Sequence, residues 1–262
     1  MVYCHGRLNV MRQLGSERLG QLLRETGTAA LAFSGGVDSA YLLYRAVQEG
    51  CAVVPIYIKT PFQPEFELQD AQRIAREVGV DLRVLSLDIL SVPHVRENPA
   101  NRCYYCKRAL FSRILEAAAE AGAQVVFDGT NASDSSDDRP GMRAIRELGV
   151  RSPLRECGLT KSEIRALSKE AGLFTWDKPA YACLATRVPS GTEITPQILE
   201  QTERAEERLA KMGFRDFRVR LMDGAARLQV PEEQMPRVLE YRREILLALD
   251  AYAAVTLDLQ TR

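Results

Sequence analysis

The sequence has no excess of charge of either sign. Its 262 residues include 35 lysines and arginines against 35 aspartates and glutamates, which gives a formal net charge of +0 at pH 7. A protein that holds nucleic acid through its phosphates needs a concentrated positive surface. We therefore expect no nucleic-acid partner.

Long apolar runs are also lacking. No stretch approaches the ~20 apolar residues that a membrane-spanning helix needs, and the N-terminal residues show no basic region followed by an apolar segment. We expect a cytoplasmic protein without a membrane partner. Because the cytoplasm is reducing, the six cysteines are predicted to be core residues or chemical groups and not structural disulfides.

Short apolar runs alternate with helical patterns over the first two thirds of the chain. Strands are predicted at 28–33, 51–58, 81–89 and 123–130, and the helices between them begin near residues 40, 65 and 107. A further helix, 159–172, opens with a capping box from Thr160 to Glu163. This alternation predicts an α/β fold with a parallel sheet, which binds its ligands at the carboxyl ends of the strands.

The pattern changes near Pro189. A long helix is predicted over 194–214, two strands at 217–222 and 225–231 flank a turn, and one helix over 232–252 precedes a last strand at 254–260. We therefore predict two domains, a nucleotide-binding domain at 1–188 and a smaller α+β domain at 189–262.

The segment SGGVDS, residues 34–39, lies at a strand-to-helix turn. Gly35 and Gly36 allow the backbone to approach an anion, the helix N-terminus offers unpaired N–H groups, and Ser34 and Ser39 add hydroxyls. The lysine of the Walker motif is missing, and Asp38 suits a magnesium ion on a polyphosphate. The alternative is a plain glycine turn capped by serine.

A second polar segment, 128–141, follows the fourth predicted strand and should lie at the same sheet edge. Asp128 and Thr130 fall at the strand end and are candidates for the nucleotide site. The alternative is an ordinary solvated acidic loop.

Cys103 and Cys106 form a C-x-x-C pair in NRCYYCKR, and Cys183 follows far along the chain. A zinc site would need a fourth ligand, for which His94 and Cys157 are the candidates at atypical spacing. A redox pair would leave Cys183 unexplained. Three thiolates can also hold an iron–sulfur cluster. Cys4, Cys51 and Cys157 are predicted to be core or surface residues.

Five segments in this order and spacing carry a resemblance to a known family: FSGGVDS, NRCYYCK, 128–154, GLTKSEIRALSKEAGL, and TWDKPAYACLATRVPSGTEIT. SGGVDS resembles the PP-loop of the ATP pyrophosphatases, whose fold is that of the adenine nucleotide alpha hydrolases. Together the segments resemble the LarE family of ATP-dependent sulfur transferases. The resemblance implies that the carboxylates of pyridinium-3,5-biscarboxylic acid mononucleotide are adenylated and converted to thiocarboxylates in nickel-pincer cofactor synthesis. It also implies ATP and Mg²⁺ as cofactors and a homo-oligomer.

The family divides by its sulfur source. In one branch a cysteine in the position of Cys183 gives up its own sulfur, and in the other a C-x-x-C pair and that cysteine hold a [4Fe-4S] cluster. The presence of Cys103, Cys106 and Cys183 favours the cluster branch. We expect the three thiolates to meet beside the adenylated carboxylate and to leave one iron open for sulfide.

The resemblance also assigns basic residues. It implies that Arg187 has a catalytic role beside Cys183, and that Arg218 and Arg220, on one face of a strand, bind the substrate phosphate. Glu206 is placed near a metal or the substrate. Gln229 stands where the sacrificial branch has an acidic residue, which argues against a metal there. Trp176 is predicted to be a core aromatic residue.

Three other functions fit parts of the sequence. A tRNA thiolation enzyme would share the loop and the cysteines, but it would need an RNA-binding surface. An amide-forming synthetase of the NAD synthetase type would leave the three cysteines without a role. A regulatory protein that binds a nucleotide without turnover would need only SGGVDS.

Overall fold

The computed structural model of the protein describes residues 2–134 and 140–261, with side chains from Arg12 onward. These residues form two compact units that interleave along the chain. The first comprises Met1–Lys59, Glu65–Leu87 and Cys103–Lys178, and the second comprises Thr60–Pro64, Asp88–Arg102 and Pro179–Arg262. We predicted a single domain boundary at 188/189, whereas the two units exchange at several points along the chain. The division into domains at 188/189 stays a prediction.

The first unit is an α/β structure, as predicted. Its strands are β1 (Thr28–Ala32), β2 (Ala52–Lys59), β3 (Arg83–Ser86) and β4 (Val125–Phe127). Its helices are α1 (Val2–Glu25), α2 (Val37–Gln48), α3 (Glu65–Val78), α4 (Arg102–Glu120), α5 (Pro140–Glu147), α6 (Pro153–Glu156) and α7 (Lys161–Glu170), followed by a 3-10 helix, Phe174–Asp177. Arg102, the first residue of α4, belongs to the second unit, as the last residue of its segment Asp88–Arg102.

All four strands are parallel, in the order β3-β2-β1-β4. The chain moves from β1 to β2 on one side and later returns to β4 on the other side. The carboxyl ends of β1 and β4 therefore flank a topological switch point, where this class of fold binds its ligands.

Successive side chains of the strands point to opposite faces of the sheet, and each face packs against its own hydrophobic core. Leu31 and Tyr57 face the cluster that contains residues of α2, α3 and α7, whereas Ala30 and Ile56 face the cluster built on α4. Both faces are buried, which explains why the strands read as continuous apolar runs in the sequence.

The second unit carries a three-stranded sheet with its own core. Its strands are β5 (Arg218–Met222), β6 (Ala225–Gln229) and β7 (Val255–Leu257), and its helices are α8 (Pro196–Lys211), α9 (Met235–Glu240) and α10 (Arg242–Ala248). Three 3-10 helices are Ile89–Ser91, Leu184–Arg187 and Glu232–Gln234. β5 and β6 are antiparallel, and β6 and β7 are parallel.

The structure corrects two expectations. The single helix predicted over 232–252 is a 3-10 turn followed by α9 and α10, which separate at Tyr241, where φ is −92° and ψ is 23°. Trp176 is not a core residue: it is 36% exposed, and the Lys169 ammonium lies 4.4 Å from its ring centroid. Within the described residues, no helix is long and apolar enough to cross a membrane.

Candidate active site

The SGGVDS segment forms a closed loop between β1 and α2. The Ser34 and Ser39 hydroxyl oxygens are 3.0 Å apart, the Gly36 amide donates to the Ser34 hydroxyl at 3.3 Å, and the Ser39 hydroxyl donates to the Gly36 carbonyl at 3.2 Å. Gly36 is the N-cap of α2 and has no side chain to cap it. The first amides of α2 therefore lack a capping side chain and suit an anionic ligand.

Gly35 is required by two independent constraints. Its φ of +70° is in the left-handed region, which side chains disfavour. A Cβ at this position would also lie 2.9 Å from the backbone nitrogen of Ala71 in α3. The loop thus packs directly against the backbone of α3.

The segment after β4 lies against the same loop, as predicted from the strand ends. A Cβ on Gly129 would lie 3.1 Å from the Ser39 nitrogen, so the two backbones are in close contact. Asp128 is buried and accepts hydrogen bonds from the Thr130 hydroxyl at 2.5 Å and from the Ser152 hydroxyl at 2.7 Å. The Asp128 and Thr130 side chains therefore bond to each other at the predicted sheet edge.

Asp38, in the first turn of α2, forms an ion pair with Lys161, the first residue of α7. The Asn131 amide donates to the other Asp38 oxygen at 3.4 Å. Burial raises the pKa of the Asp38 carboxyl above its usual value, although the Lys161 ammonium acts in the opposite direction. A carboxylate beside helix amides that lack a capping side chain, with an ammonium group next to it, can bind a phosphate chain together with a cation.

The two partners of Asp38, Lys161 and Asn131, were not predicted from the sequence. Lys161 follows the Thr160 cap of a predicted helix, and Asn131 follows Thr130 directly. The available signal was the predicted position of both segments at one sheet edge. The pairing with Asp38 spans 123 residues and appears only in the folded chain.

Cys103 and Cys106 lie in the first turn of α4, three positions apart, which puts them on neighbouring positions of one helix face. Cys103 is exposed and Cys106 is buried. Helix α5 packs beside this turn. The Tyr104 hydroxyl donates to Glu147 at 2.6 Å, and the Arg143 guanidinium lies 4.2 Å from the Tyr104 ring centroid.

Cys183 belongs to the second unit, where it is the N-cap of the 3-10 helix Leu184–Arg187. Its carbonyl accepts a hydrogen bond from the Thr186 hydroxyl at 2.8 Å. Arg187 is 1% exposed and donates to both Glu206 oxygens, at 2.7 and 3.0 Å. The Tyr181 hydroxyl donates to Glu206 at 2.6 Å, and the Arg187 guanidinium lies 4.7 Å from the Tyr181 ring centroid.

Arg218 and Arg220 point to the same side of β5, as their spacing predicts, since Val219 between them is buried in the core of the second unit. Arg218 donates to the Ala180 carbonyl at 2.6 Å. Arg220 donates to the Gln229 side chain at 2.6 Å and to the Thr186 carbonyl at 2.7 Å. Both arginines therefore adjoin the segment that carries Cys183.

Within the described part of the chain, no group of three or more His, Cys, Asp or Glu side chains is arranged to hold a metal ion. The chemistry of Cys103 and Cys106 nevertheless suits iron–sulfur ligation, since the two thiols are three positions apart on one helix and the outer one is accessible. The iron–sulfur assignment therefore remains a proposal.

Several known proteins are similar to this chain in sequence. The family model described as Queuosine biosynthesis protein QueC matches residues 28–96, which include SGGVDS. An uncharacterised protein of Synechocystis sp. is 38% identical over 227 residues, 86% of this chain and 84% of its own length. The tRNA-specific 2-thiouridylase MnmA of Pseudothermotoga lettingae is 28% identical over 185 residues, but the match covers only 56% of this chain and 53% of that protein.

A third relative matches nearly the whole chain. The pyridinium-3,5-bisthiocarboxylic acid mononucleotide synthase of Lactiplantibacillus plantarum is 34% identical over 241 residues, 90% of this chain and 87% of its own length. This extent covers the loop, the cysteine segments and the arginine-bearing sheet alike. The chain therefore belongs to the LarE family of ATP-dependent sulfur transferases.

Proposed function

We propose that this protein uses ATP and Mg²⁺ to adenylate the carboxylates of pyridinium-3,5-biscarboxylic acid mononucleotide and converts them to thiocarboxylates in nickel-pincer cofactor synthesis. The observation that carries the proposal is the loop at residues 34–39 with its Asp38–Lys161 pair, at the switch point of the parallel sheet. The near-complete match to the synthase of L. plantarum supports the choice of substrate.

The chemistry explains the need for ATP. A carboxylate repels a sulfur nucleophile and has no usable leaving group. Transfer of AMP to a carboxylate oxygen releases pyrophosphate and gives an acyl adenylate, whose carbonyl carbon a sulfur nucleophile can attack. The carbon–sulfur bond forms as the carbon–oxygen bond to AMP breaks, and AMP leaves with the electron pair.

Five of the six loop residues would have a role in this step. The backbone at Gly35 and Gly36 and the hydroxyls of Ser34 and Ser39 would bind the phosphates, which the N-terminus of α2 favours. Asp38 would hold the magnesium ion.

Residues of neighbouring segments complete the nucleotide site. Lys161, released from Asp38, would pair with a phosphate oxygen. Asp128 and Thr130, bonded to each other at the end of β4, would line the site.

The sulfur would come through Cys103, Cys106 and Cys183. Three thiolates on a [4Fe-4S] cluster leave one iron without a protein ligand, which would allow it to bind exogenous sulfide. The exposed Cys103 and the buried Cys106 give this turn of α4 an accessible thiol and a shielded one.

The arginines near Cys183 would orient the substrate. Arg218 and Arg220 would bind the phosphate of the mononucleotide, and Arg187 would act beside Cys183. Both β5 arginines donate to backbone carbonyls of the segment 180–186, which supports binding of the substrate phosphate close to Cys183. The remaining proposals are a small-molecule partner and a homo-oligomeric assembly.

The ATP step is tested by pyrophosphate release with the biscarboxylate mononucleotide. Asp38→Asn should reduce release at least about tenfold, because loss of one charged contact in a largely buried site costs on the order of 1.5–3 kcal/mol. Asp81→Asn, an exposed aspartate before β3, is the control and should match the wild type. Pyrophosphate release by Asp38→Asn equal to that of the wild type would disprove the assignment.

The sulfur source is tested on protein purified without oxygen, by iron content, visible absorbance and intact mass before and after turnover. Cluster delivery predicts that Cys103→Ala, Cys106→Ala and Cys183→Ala each lose iron, whereas Cys51→Ala in the core does not. It also predicts product beyond one equivalent per chain and an unchanged mass. A chain lighter by hydrogen sulfide at Cys183, with activity retained in Cys103→Ala, would establish sacrificial transfer instead.

A further inference from the structure

Two helices contact the SGGVDS loop at one point and residues 176–178 at another. Helix α7 begins with Lys161, which pairs with Asp38 of the loop. One turn later Arg165 donates to the Trp176 carbonyl and to the Lys178 carbonyl, both at 2.6 Å. Residues four apart lie on the same helix face, so one face of α7 joins the loop to residues 176–178.

Helix α3 makes a second connection. The Ala71 backbone packs on Gly35 of the loop. The neighbouring Asp70 forms an ion pair with Lys178, with 2.6 Å between the carboxylate oxygen and the ammonium nitrogen. Lys178 is therefore held at its carbonyl by α7 and at its ammonium by α3. Because close-packed interiors transmit strain, a displacement at the loop would have two routes to this residue, one through each helix.

The residues held in this way are the direct chain neighbours of the reactive segment. Lys178 is the last residue of the first unit, and Pro179 begins the stretch that carries Cys183 five residues after Lys178. Asp38 also feels the charge of Arg165, which helps to lower the pKa of that carboxyl against the larger raising effect of burial. Any ligand that takes Lys161 away from Asp38 changes the charge balance on this face of α7.

We infer that Arg165 is a positioning residue, which couples occupancy of the nucleotide site to the conformation of residues 176–178 and so to the segment that bears Cys183. The inference rests on the proposed nucleotide site. Arrival of Mg²⁺ and a triphosphate separates Lys161 from Asp38, and Arg165 transmits the shift of α7 to two backbone carbonyls. Sulfur transfer then depends on a nucleotide that is already bound.

The chain contains its own probe. Trp176 is the only tryptophan, and its ring is partly exposed beside Lys169. Its fluorescence therefore reports directly on the segment that Arg165 holds. The experiment adds a non-hydrolysable ATP analogue with Mg²⁺ to the full chain. Nucleotide affinity is measured by calorimetry and the tryptophan emission is recorded in parallel.

The wild type should bind the analogue and change its emission. Arg165→Met should lose that change while its affinity weakens by less than about fivefold, since a partly exposed charge that is not a ligand is worth at most about 1 kcal/mol. Arg165→Lys keeps the charge but cannot bridge both carbonyls in the same way, and it should show a reduced response. Lys169→Met, on the same helix and against the same ring, should alter the starting emission but keep the nucleotide response.

Hydrogen exchange gives a second readout that does not depend on the indole. Amides in 176–188 that donate to nearby backbone carbonyls, such as Lys178 to Thr175 and Thr186 to Cys183, should change exchange rate with nucleotide in the wild type and not in Arg165→Met. Binding without any response in the wild type, or a full response in Arg165→Met, overturns the inference alone. Failure of the wild type to bind the analogue overturns the nucleotide site and this inference together.

Discussion

The buried ion pair between Arg187 and Glu206 allows a quantitative prediction. Glu206 is 5% exposed and accepts four hydrogen bonds, two from Arg187, one from the Tyr181 hydroxyl and one from the Val219 amide at 2.9 Å. Glu206→Gln keeps the size of the side chain but removes the charge and turns an amide group toward these donors. Arg187 is then a buried cation without a counter-ion.

Breaking such a pair from one side costs about 3–5 kcal/mol, because the remaining charge stays desolvated. At about 2–4 °C per kcal/mol for a chain of this size, the melting temperature should fall by about 6–20 °C. Glu200→Gln is the matched control, since Glu200 lies on the same helix and its ion pair with Arg204 is exposed, with a separation of 3.5 Å. That change should cost less than about 1 kcal/mol.

The assay is guanidinium unfolding followed by far-ultraviolet circular dichroism, with calorimetry for the melting temperature. The double variant Arg187→Met, Glu206→Leu should be more stable than Glu206→Gln, because it removes both charges from the same site. A Glu206→Gln protein within about 1 kcal/mol of the wild type would refute the argument. It would mean that water reaches Arg187 or that the guanidinium finds another acceptor.

Two further predictions concern the loop. Gly35→Ala should cost about 1–2 kcal/mol of stability and weaken nucleotide binding, because φ is +70° and the new methyl group would meet the Ala71 backbone. Stability is measured by chemical denaturation and nucleotide affinity by calorimetry. Gly36→Ala is the control and should show a smaller loss in both, because the nearest atom to its new methyl group would be 3.4 Å away. Burial raises the pKa of Asp38 above 3.8, so between that value and the raised pKa the native state binds more protons than the unfolded chain. The stability of the wild type relative to Asp38→Asn should therefore fall as the pH rises from 3.8 through the raised pKa. A stability difference between the two proteins that does not change with pH would contradict this prediction.

The elements that the sequence predicted well are those whose signal is local. Strands buried on both faces read as short apolar runs, and the Thr160–Glu163 capping box marks the start of α7, where both of its hydrogen bonds are present. The break at Tyr241 has no such signal. The helical pattern continues across it, and the exposed Leu239 and Leu247 extend an apolar pattern that the core does not use.

The site was predictable in its position and only partly in its contacts. Strand ends identified the segments at 34–39 and 128–130, because parallel strands bring their carboxyl ends to one edge. The partners of Asp38 and Arg187 could not be derived in this way. Lys161 and Glu206 are ordinary charged residues on helices, and only the packing of each unit selects them from the many others in the chain.

The Asp38–Lys161 pair also constrains how the proposed ligands enter. Mg²⁺ alone at Asp38 would leave the Lys161 ammonium facing a dication, and a phosphate alone at Lys161 would leave the half-buried Asp38 carboxylate facing an anion. Each of these half-steps exchanges an attractive pair for a repulsive one. Mg²⁺ and triphosphate arriving together give both Asp38 and Lys161 a partner of opposite charge at once. The geometry of the loop therefore favours the magnesium complex of the nucleotide over either component alone.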